Sequence, residues 1–140
     1  MRREMAVHPV GLDQSHCCGD GAVRQALNGY EAIQKTNGKR DSRHRVEHIE
    51  VCQPEDMPRF RELGVIASMQ TSHAPLSPEE DPVWTTRTGH QRWSISFPWR
   101  DLKSAGAHLS LGSDWTVAPF DPTWPLDFVP SDVVAEAHAL

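Results

Sequence analysis

The sequence has few of the features that mark secreted or membrane proteins. Its three cysteines, Cys17, Cys18 and Cys52, form no C-x-x-C pair, and any single disulfide would leave one thiol unpaired. This cysteine content predicts a reducing, cytoplasmic setting. The first ten residues are basic but lack the apolar core of a signal peptide, and no apolar run approaches the length needed to cross a bilayer. We therefore expect no membrane partner.

Basic charge is also scarce. The chain has 14 Lys and Arg against 19 Asp and Glu, a formal charge of −5. This balance argues against a nucleic-acid partner, which requires a basic surface. The hydrophobic fraction of 38% is below the globular average. In a chain of 140 residues this predicts one domain with a small core, or a unit whose remaining surface is covered by a partner.

Helical patterns alternate with short apolar runs along the chain. Helices are predicted at about 21–36, with Asp20 as N-cap, and at about 54–63 and 98–104. The apolar runs are RVEHIEV at 45–51, VIASM at 65–69 and LSLG at 109–112. This alternation predicts an α/β fold with a parallel sheet. The segment 71–96 has no sustained period and is predicted to be a long functional loop after a strand.

The stretch RHRVEHIEV allows two interpretations. His44, Glu47 and His48 spell H-x-x-E-H, which in one class of zinc proteases lies on a helix and binds the metal. However, only about nine residues separate the preceding turn from the next helix, which is short for a helix. β-Branched residues in this stretch also favour a strand. In a strand His44 and His48 would lie roughly 13 Å apart, too far to share an ion, so we predict a strand with His48 near its carboxyl end.

Two histidines and an aspartate occupy equivalent positions in successive strand–helix units. His16 precedes the turn that opens the first helix, His48 lies near the end of its strand, and Asp114 follows LSLG. In strand–helix barrels, catalytic groups from separate strands meet at this edge. Two imidazoles and a carboxylate suit Zn²⁺ or a similar divalent ion. For His48 taken alone, a hydrogen-bonded core histidine is the alternative.

Neighbouring residues allow simpler interpretations. Cys17 and Cys18 adjoin His16, but adjacent cysteines seldom bind one ion, so we expect both to be buried small residues. Glu47 and Glu50 flank His48, where they either orient its ring or are plain charges at the edge of a strand.

At these residues the chain resembles the amidohydrolase superfamily, specifically the amidohydrolase-3 group that includes N-substituted formamide deformylases. The matching segments are HCCGDGAVRQALNGYEA, RHRVEHIEVCQPEDMPRFRELGVIASMQTSHA and FPWRDLKSAGAHLSLGSDWTVAP, which together span roughly residues 16–122. The resemblance implies part of a (β/α)₈ TIM barrel, covering about strands five to eight. It also implies hydrolysis of non-peptide C–N bonds in small-molecule amides.

The resemblance further implies a role for individual residues. His16 and His48 would be metal ligands after strands five and six, and Asp114 would be both a metal ligand and the catalytic base. His73 and Trp84 or Trp93, in the segment after strand seven, would line the substrate pocket; the alternative for these residues is a solvated loop. The expected metal is a divalent ion, with Zn²⁺ preferred.

Two family features have no counterpart in the chain. The family's H-x-H pair on strand one and its bridging residue on strand four are missing, and the pattern fades after Pro122. We therefore expect residues 1–122 to form the C-terminal half of a barrel and 123–140 a divergent tail. Such a fragment would be inactive alone and would pair with a complementary N-terminal half-barrel or with itself. The alternative is a non-catalytic α/β interaction module.

Overall fold

A parallel sheet of four strands forms the centre of the fold. The computed structural model of the chain describes residues 13–75 and 81–120. The strands are β1 (Gln14–Cys17), β2 (Arg45–His48), β3 (Ile66–Gln70) and β4 (His108–Gly112). They lie in the order β1-β2-β3-β4, and each neighbouring pair is parallel. The predicted α/β fold with a parallel sheet is confirmed.

Helices connect consecutive strands. They are α1 (Asp20–Asn37), α2 (Met57–Leu63), α3 (Pro82–Thr88) and α4 (Trp99–Ser104). A 3₁₀ turn, Pro54–Asp56, leads into α2, and Gly64 ends that helix in the left-handed conformation with φ 66°. Helix α1 begins one residue earlier than predicted: Gly19 is the N-cap, and Asp20 lies in the first turn, where the helix dipole favours a carboxylate.

None of the helices within residues 13–75 and 81–120 has both the length and the apolar character that a membrane span requires.

The prediction of a continuous loop over 71–96 was wrong. This segment contains the 3₁₀ turns Thr71–His73 and His90–Ile95 as well as helix α3. The Asp81 side chain accepts a hydrogen bond from the Trp84 backbone N–H at 2.9 Å, and Pro82 is the first helical residue. An aspartate cap followed by proline is a recognisable helix start. The helix is too short for a hydrophobic period to reveal it.

The two faces of the sheet differ in polarity. Residues at one register position of neighbouring parallel strands lie on the same face. One such row is Ser15, Val46, Ala67 and Leu109, and the last three of these side chains are buried in the core. The next row is polar and consists of His16, Glu47, Ser68 and Ser110. The core residues contributed by the helices include Val23, Leu27, Phe60 and Leu102.

A network of paired charges joins α1 to the start of α2. The Asp56 carboxylate, only 2% exposed, accepts hydrogen bonds from Arg24 Nε at 2.7 Å and from Arg59 Nη1 at 2.9 Å. Arg24 also pairs with Glu55, and Arg59 with Glu31. Because both carboxylate oxygens of Asp56 are bonded to guanidinium groups, this buried charge is compensated.

Candidate metal centre

The structure resolves the two interpretations of RHRVEHIEV. Residues Arg45–His48 form strand β2, so the strand interpretation is confirmed and the protease-helix interpretation is excluded. The buried His44 ring stacks on Tyr30 with centroids 4.8 Å apart, and its Nδ1 accepts a hydrogen bond from the Asp13 backbone N–H at 3.2 Å. His44 is thus part of the scaffold at the amino end of β2, and His48 lies at the carboxyl end.

The backbone at the carboxyl edge of the sheet adopts costly conformations. His48, Ile49 and Asp114 have φ values of 76°, 54° and 58°, although none is glycine. A left-handed conformation costs a non-glycine residue about 1–2 kcal/mol. The Ile49 backbone N–H donates to the Cys17 carbonyl at 3.0 Å, which ties the end of β2 to the end of β1. Strain of this kind clusters at functional sites, where surrounding contacts hold it in place.

Three side chains from different strand ends bring donor atoms together at this edge. One ring nitrogen each from His48 and His73 and a carboxylate oxygen of Asp114 all lie within 4.8 Å of one another. The His48 and His73 rings stack with centroids 5.5 Å apart, and His73 Nε2 lies 3.6 Å from Asp114 Oδ2. His73 was predicted to line a substrate pocket. The structure places it among the candidate metal ligands, because the 3₁₀ turn Thr71–His73 follows β3 directly.

The electrostatics of His48 suit a metal ligand. The side chain is 8% exposed, and burial, followed by the neighbouring His16, lowers its pKa. At neutral pH the ring is therefore uncharged and can offer a lone pair. His48 Nδ1 and His73 Nε2 are both buried and have no hydrogen-bond partner.

A divalent cation fits this donor set. Leaving a buried donor or acceptor unpaired costs roughly 1–3 kcal/mol. Coordination would satisfy such atoms, and two imidazole nitrogens with one carboxylate oxygen match the ligand preferences of zinc.

A second donor group shares His48 with the first. Cys18 Sγ, a ring nitrogen of His48 and a carboxylate oxygen of Glu50 also lie within 4.8 Å of one another. Cys17 is buried, as expected, but Cys18 is only partly buried. Burial and the nearby Glu50 raise the pKa of the Cys18 thiol to about 11. The sequence signal for this group was a cysteine two residues after His16, at the end of a strand.

His16 lies beside both groups but belongs to neither among the described residues. It is the third residue of β1, and its side chain is exposed. Its ring meets that of His48 edge-on with centroids 4.2 Å apart, and its Nε2 lies 3.5 Å from Cys18 Sγ. Its role as a metal ligand stays a prediction.

The two predicted pocket tryptophans have different surroundings. Trp84 Nε1 donates a hydrogen bond to Glu50 Oε2 at 2.8 Å, and its ring packs on Phe97 with centroids 5.2 Å apart. Trp93 Nε1 donates to the Thr85 carbonyl at 3.2 Å, and its ring packs on His90. Trp84 therefore contacts a residue of the second donor group, whereas the contacts of Trp93 are to α3 and the turn that follows it.

Comparison with known proteins gives consistent matches. The model of a family described as the amidohydrolase family matches residues 6–134. Protein LONG AFTER FAR-RED 3 of Arabidopsis thaliana is 31% identical over 150 residues, which cover 97% of this chain and 25% of that protein.

Two solved structures have a similar fold. One is an uncharacterized metal-dependent hydrolase from Pyrococcus furiosus, with a TM-score of 0.64 and 26% identity over 85% of this chain and 23% of that one. The other, from Pyrococcus horikoshii OT3, has a TM-score of 0.65 and 23% identity over 90% of this chain and 24% of that one, a likeness of fold alone. The chain spans about a quarter of the length of these relatives.

Proposed function

The chain belongs to the amidohydrolase family, and on that premise we propose that it provides the metal-binding edge of a hydrolase. The reaction we propose is hydrolysis of non-peptide C–N bonds in small-molecule amides, with N-substituted formamides as the preferred class. The observation that carries the proposal is the convergence of His48, His73 and Asp114, with unpaired buried nitrogens on both histidines.

The proposed metal is Zn²⁺, held by His48, His73 and Asp114, with His16 as a further ligand that the family resemblance implies. When bound, such an ion supplies Lewis-acid polarisation of a carbonyl group and acidification of water. The uncharged, buried His48 presents a nitrogen without loss of a proton. This explains why burial that lowers its pKa favours the site.

Asp114 is the proposed general base. Its side chain is 34% exposed, so water and substrate can reach the carboxylate. His73 Nε2 lies 3.6 Å from Asp114 Oδ2, so both side chains face the place where we propose that the carboxylate accepts a proton from the attacking water. His73 thus contributes to metal binding next to the proposed base.

The segment after β3 is the proposed substrate side. Trp84 is anchored through Glu50, two residues after His48, so its ring is held near the donor groups. Trp84 and Trp93 provide flat apolar surfaces that suit the substituent of an amide. We propose that they bind that substituent while the amide carbonyl approaches Asp114.

The remainder of the active site is proposed to come from a complementary half-barrel or from a second copy of the chain. Consecutive parallel strands lie side by side without a reversal of order, as they do in a barrel, whereas a doubly wound sheet reverses at its switch point. This order supports a segment of a (β/α)₈ barrel, and the family resemblance implies that the segment covers about strands five to eight. The cytoplasmic setting stays a prediction.

Metal analysis and an amidase assay test the proposal together. We expect the purified chain to contain zinc in stoichiometric amount and His48→Ala to lose it. His108→Ala, at the amino end of β4, should keep it. Addition of a complementary half-barrel carrying H-x-H should produce hydrolysis of N-substituted formamides. Metal-free protein that stays inactive in that mixture would overturn the proposal.

A further inference from the structure

Cys18, His48 and Glu50 converge at the carboxyl edge of the sheet, in a group that shares only His48 with the donor set of the proposed hydrolase. We propose that these three side chains form a second, sulfur-containing metal site that prefers a thiophilic divalent cation such as Zn²⁺, Co²⁺ or Cd²⁺.

The first support is the proximity of three chemically different donors. The Cys18 sulfur, a His48 nitrogen and a Glu50 oxygen lie within 4.8 Å of one another. They come from the ends of two neighbouring strands: Cys18 follows β1 directly, and Glu50 follows β2 by two residues. The backbone is tied together here, since the Val51 N–H donates to the Cys18 carbonyl at 3.0 Å. The donors are therefore held by main-chain contacts as well as by side-chain packing.

The second support is the unsatisfied chemistry of His48. This side chain is 8% exposed, and its buried Nδ1 has no hydrogen-bond partner. The buried His48 ring therefore has a nitrogen that no protein group satisfies and that coordination to a cation would satisfy.

The third support is the orientation of Glu50 by another side chain. Trp84 Nε1 donates to Glu50 Oε2 at 2.8 Å, which fixes the orientation of the carboxylate. Carboxylates that bind metals are commonly held by an outer hydrogen bond of this kind. The partly buried Cys18 keeps the site open to solvent, so that an ion can enter.

The charge of the donors favours a divalent cation, and the softness of the sulfur determines which one. Ion binding requires the Cys18 S–H bond to ionise, and its proton leaves to solvent. The resulting thiolate, the Glu50 carboxylate and a neutral imidazole carry two negative charges, which balance a divalent cation. Soft thiolate ligands select zinc, cadmium and related ions over manganese or magnesium. The set His48, His73 and Asp114 has no sulfur and lacks this preference.

Cobalt(II) absorption spectroscopy tests the site without any measurement of catalysis. The full chain is titrated with Co²⁺ under reducing conditions, and the near-ultraviolet band from charge transfer between sulfur and cobalt is recorded. We expect this band in the wild type, its loss in Cys18→Ser, and its retention in Cys17→Ala and Asp114→Asn. Cys17→Ala is the matched control, because Cys17 is adjacent in sequence but buried in the core. Circular dichroism verifies the fold of each variant.

A wild-type chain without the band at saturating cobalt, or a Cys18→Ser chain that keeps it, would overturn the proposal. X-ray absorption on the zinc-loaded wild type gives a check that needs no variant. A zinc–sulfur shell at about 2.3 Å is expected, and a shell of nitrogen and oxygen alone would contradict the site. Loss of the band in Cys18→Ser with zinc still bound at Asp114 would separate this site from that of the proposed hydrolase.

Discussion

Buried polar groups are hydrogen-bonded at the interface between α1 and α2, whereas several at the carboxyl edge of the sheet are not. At the interface, the buried Asp56 is bonded to both Arg24 and Arg59. At the carboxyl edge, buried side-chain atoms of four residues have no hydrogen-bond partner: His48, Gln70, Ser72 and His73. These make up four of the five such residues in the described part of the chain. The interface satisfies its polar groups internally, whereas the edge leaves donors and acceptors available to a ligand.

The largest expected effect on stability is at the interface between α1 and α2, where the buried charge is paired. Asp56→Ala removes the acceptor that both Arg24 and Arg59 share, and we expect unfolding free energy to fall by about 3 kcal/mol. The remaining pairs with Glu55 and Glu31 keep the loss at the lower end of the range for a broken buried ion pair. Urea denaturation measures the change. Asp41→Ala, which breaks an exposed pair with Arg43, should cost no more than about 0.5 kcal/mol. Equal losses of unfolding free energy in the two variants would show that the buried pairs of Asp56 contribute no more than an exposed pair.

His48→Ala tests the carboxyl edge of the sheet, where buried polar atoms have no hydrogen-bond partner. We expect zinc affinity to fall by at least about 100-fold, since loss of a ligand should exceed the loss of an outer hydrogen bond. The stability of the metal-free chain should fall less than in His44→Ala, because the loss of ring contacts with His16 and His73 is offset by removal of an unpaired buried nitrogen. Isothermal titration calorimetry and urea denaturation give the two values.

His44→Ala is the matched control for His48→Ala, because it lies at the other end of the same strand. It should keep zinc affinity and lose stability, since its ring stacks on Tyr30 and its Nδ1 is hydrogen-bonded. If His44→Ala and His48→Ala both lost metal, or both lost stability alone, the assignment of scaffold and ligand roles would be wrong.

Backbone conformation gives a smaller effect. Gly64 ends α2 at φ 66°, and an added Cβ would meet no atom within 4 Å. Gly64→Ala should therefore cost about 1 kcal/mol through the left-handed conformation alone. Gly29→Ala, inside α1 and equally free of contacts, should instead raise stability by about 0.5–1 kcal/mol. A gain in both variants would show that Gly64 is not held in the left-handed region.

The smallest effect concerns the protonation of His44. Burial lowers its pKa below the ordinary value of about 6.5, so the unfolded chain binds a proton that the folded chain does not. Stability from this source is complete above about pH 6.5 and decreases as pH falls toward the folded pKa. His44→Gln should flatten that part of the pH profile in urea denaturation. An unchanged slope would show that His44 titrates alike in both states.

The sequence predicted helices and strands correctly where the hydrophobic pattern was long or where a capping residue marked the start of a helix. Helix α1 was recognisable from five apolar residues at helical spacing, and the β2 strand from its length and β-branched residues. Helix α3 was not, since seven residues carry too little periodicity and only Asp81 and Pro82 mark its start. The convergence of His48 with Asp114 could be anticipated because parallel strands align their carboxyl ends.

The contributions of His73, Cys18 and Glu50 could not be anticipated in the same way. His73 lies in a 3₁₀ turn whose conformation no sequence pattern specified. Cys18 and Glu50 meet His48 at a strand end where His48 and Ile49 adopt left-handed conformations. Local conformation of this kind is set by tertiary contacts and not by propensity.

Zinc titration of Cys18→Ser, with and without His73→Ala, tests the central claim most directly. The Cys18→Ser background removes the sulfur donor, so that the titration reports on His48, His73 and Asp114. We predict that Cys18→Ser binds one zinc ion per chain and that adding His73→Ala weakens the affinity at least about tenfold. Equal affinity in the two variants, or no zinc bound by Cys18→Ser, would contradict a metal centre built from these three residues.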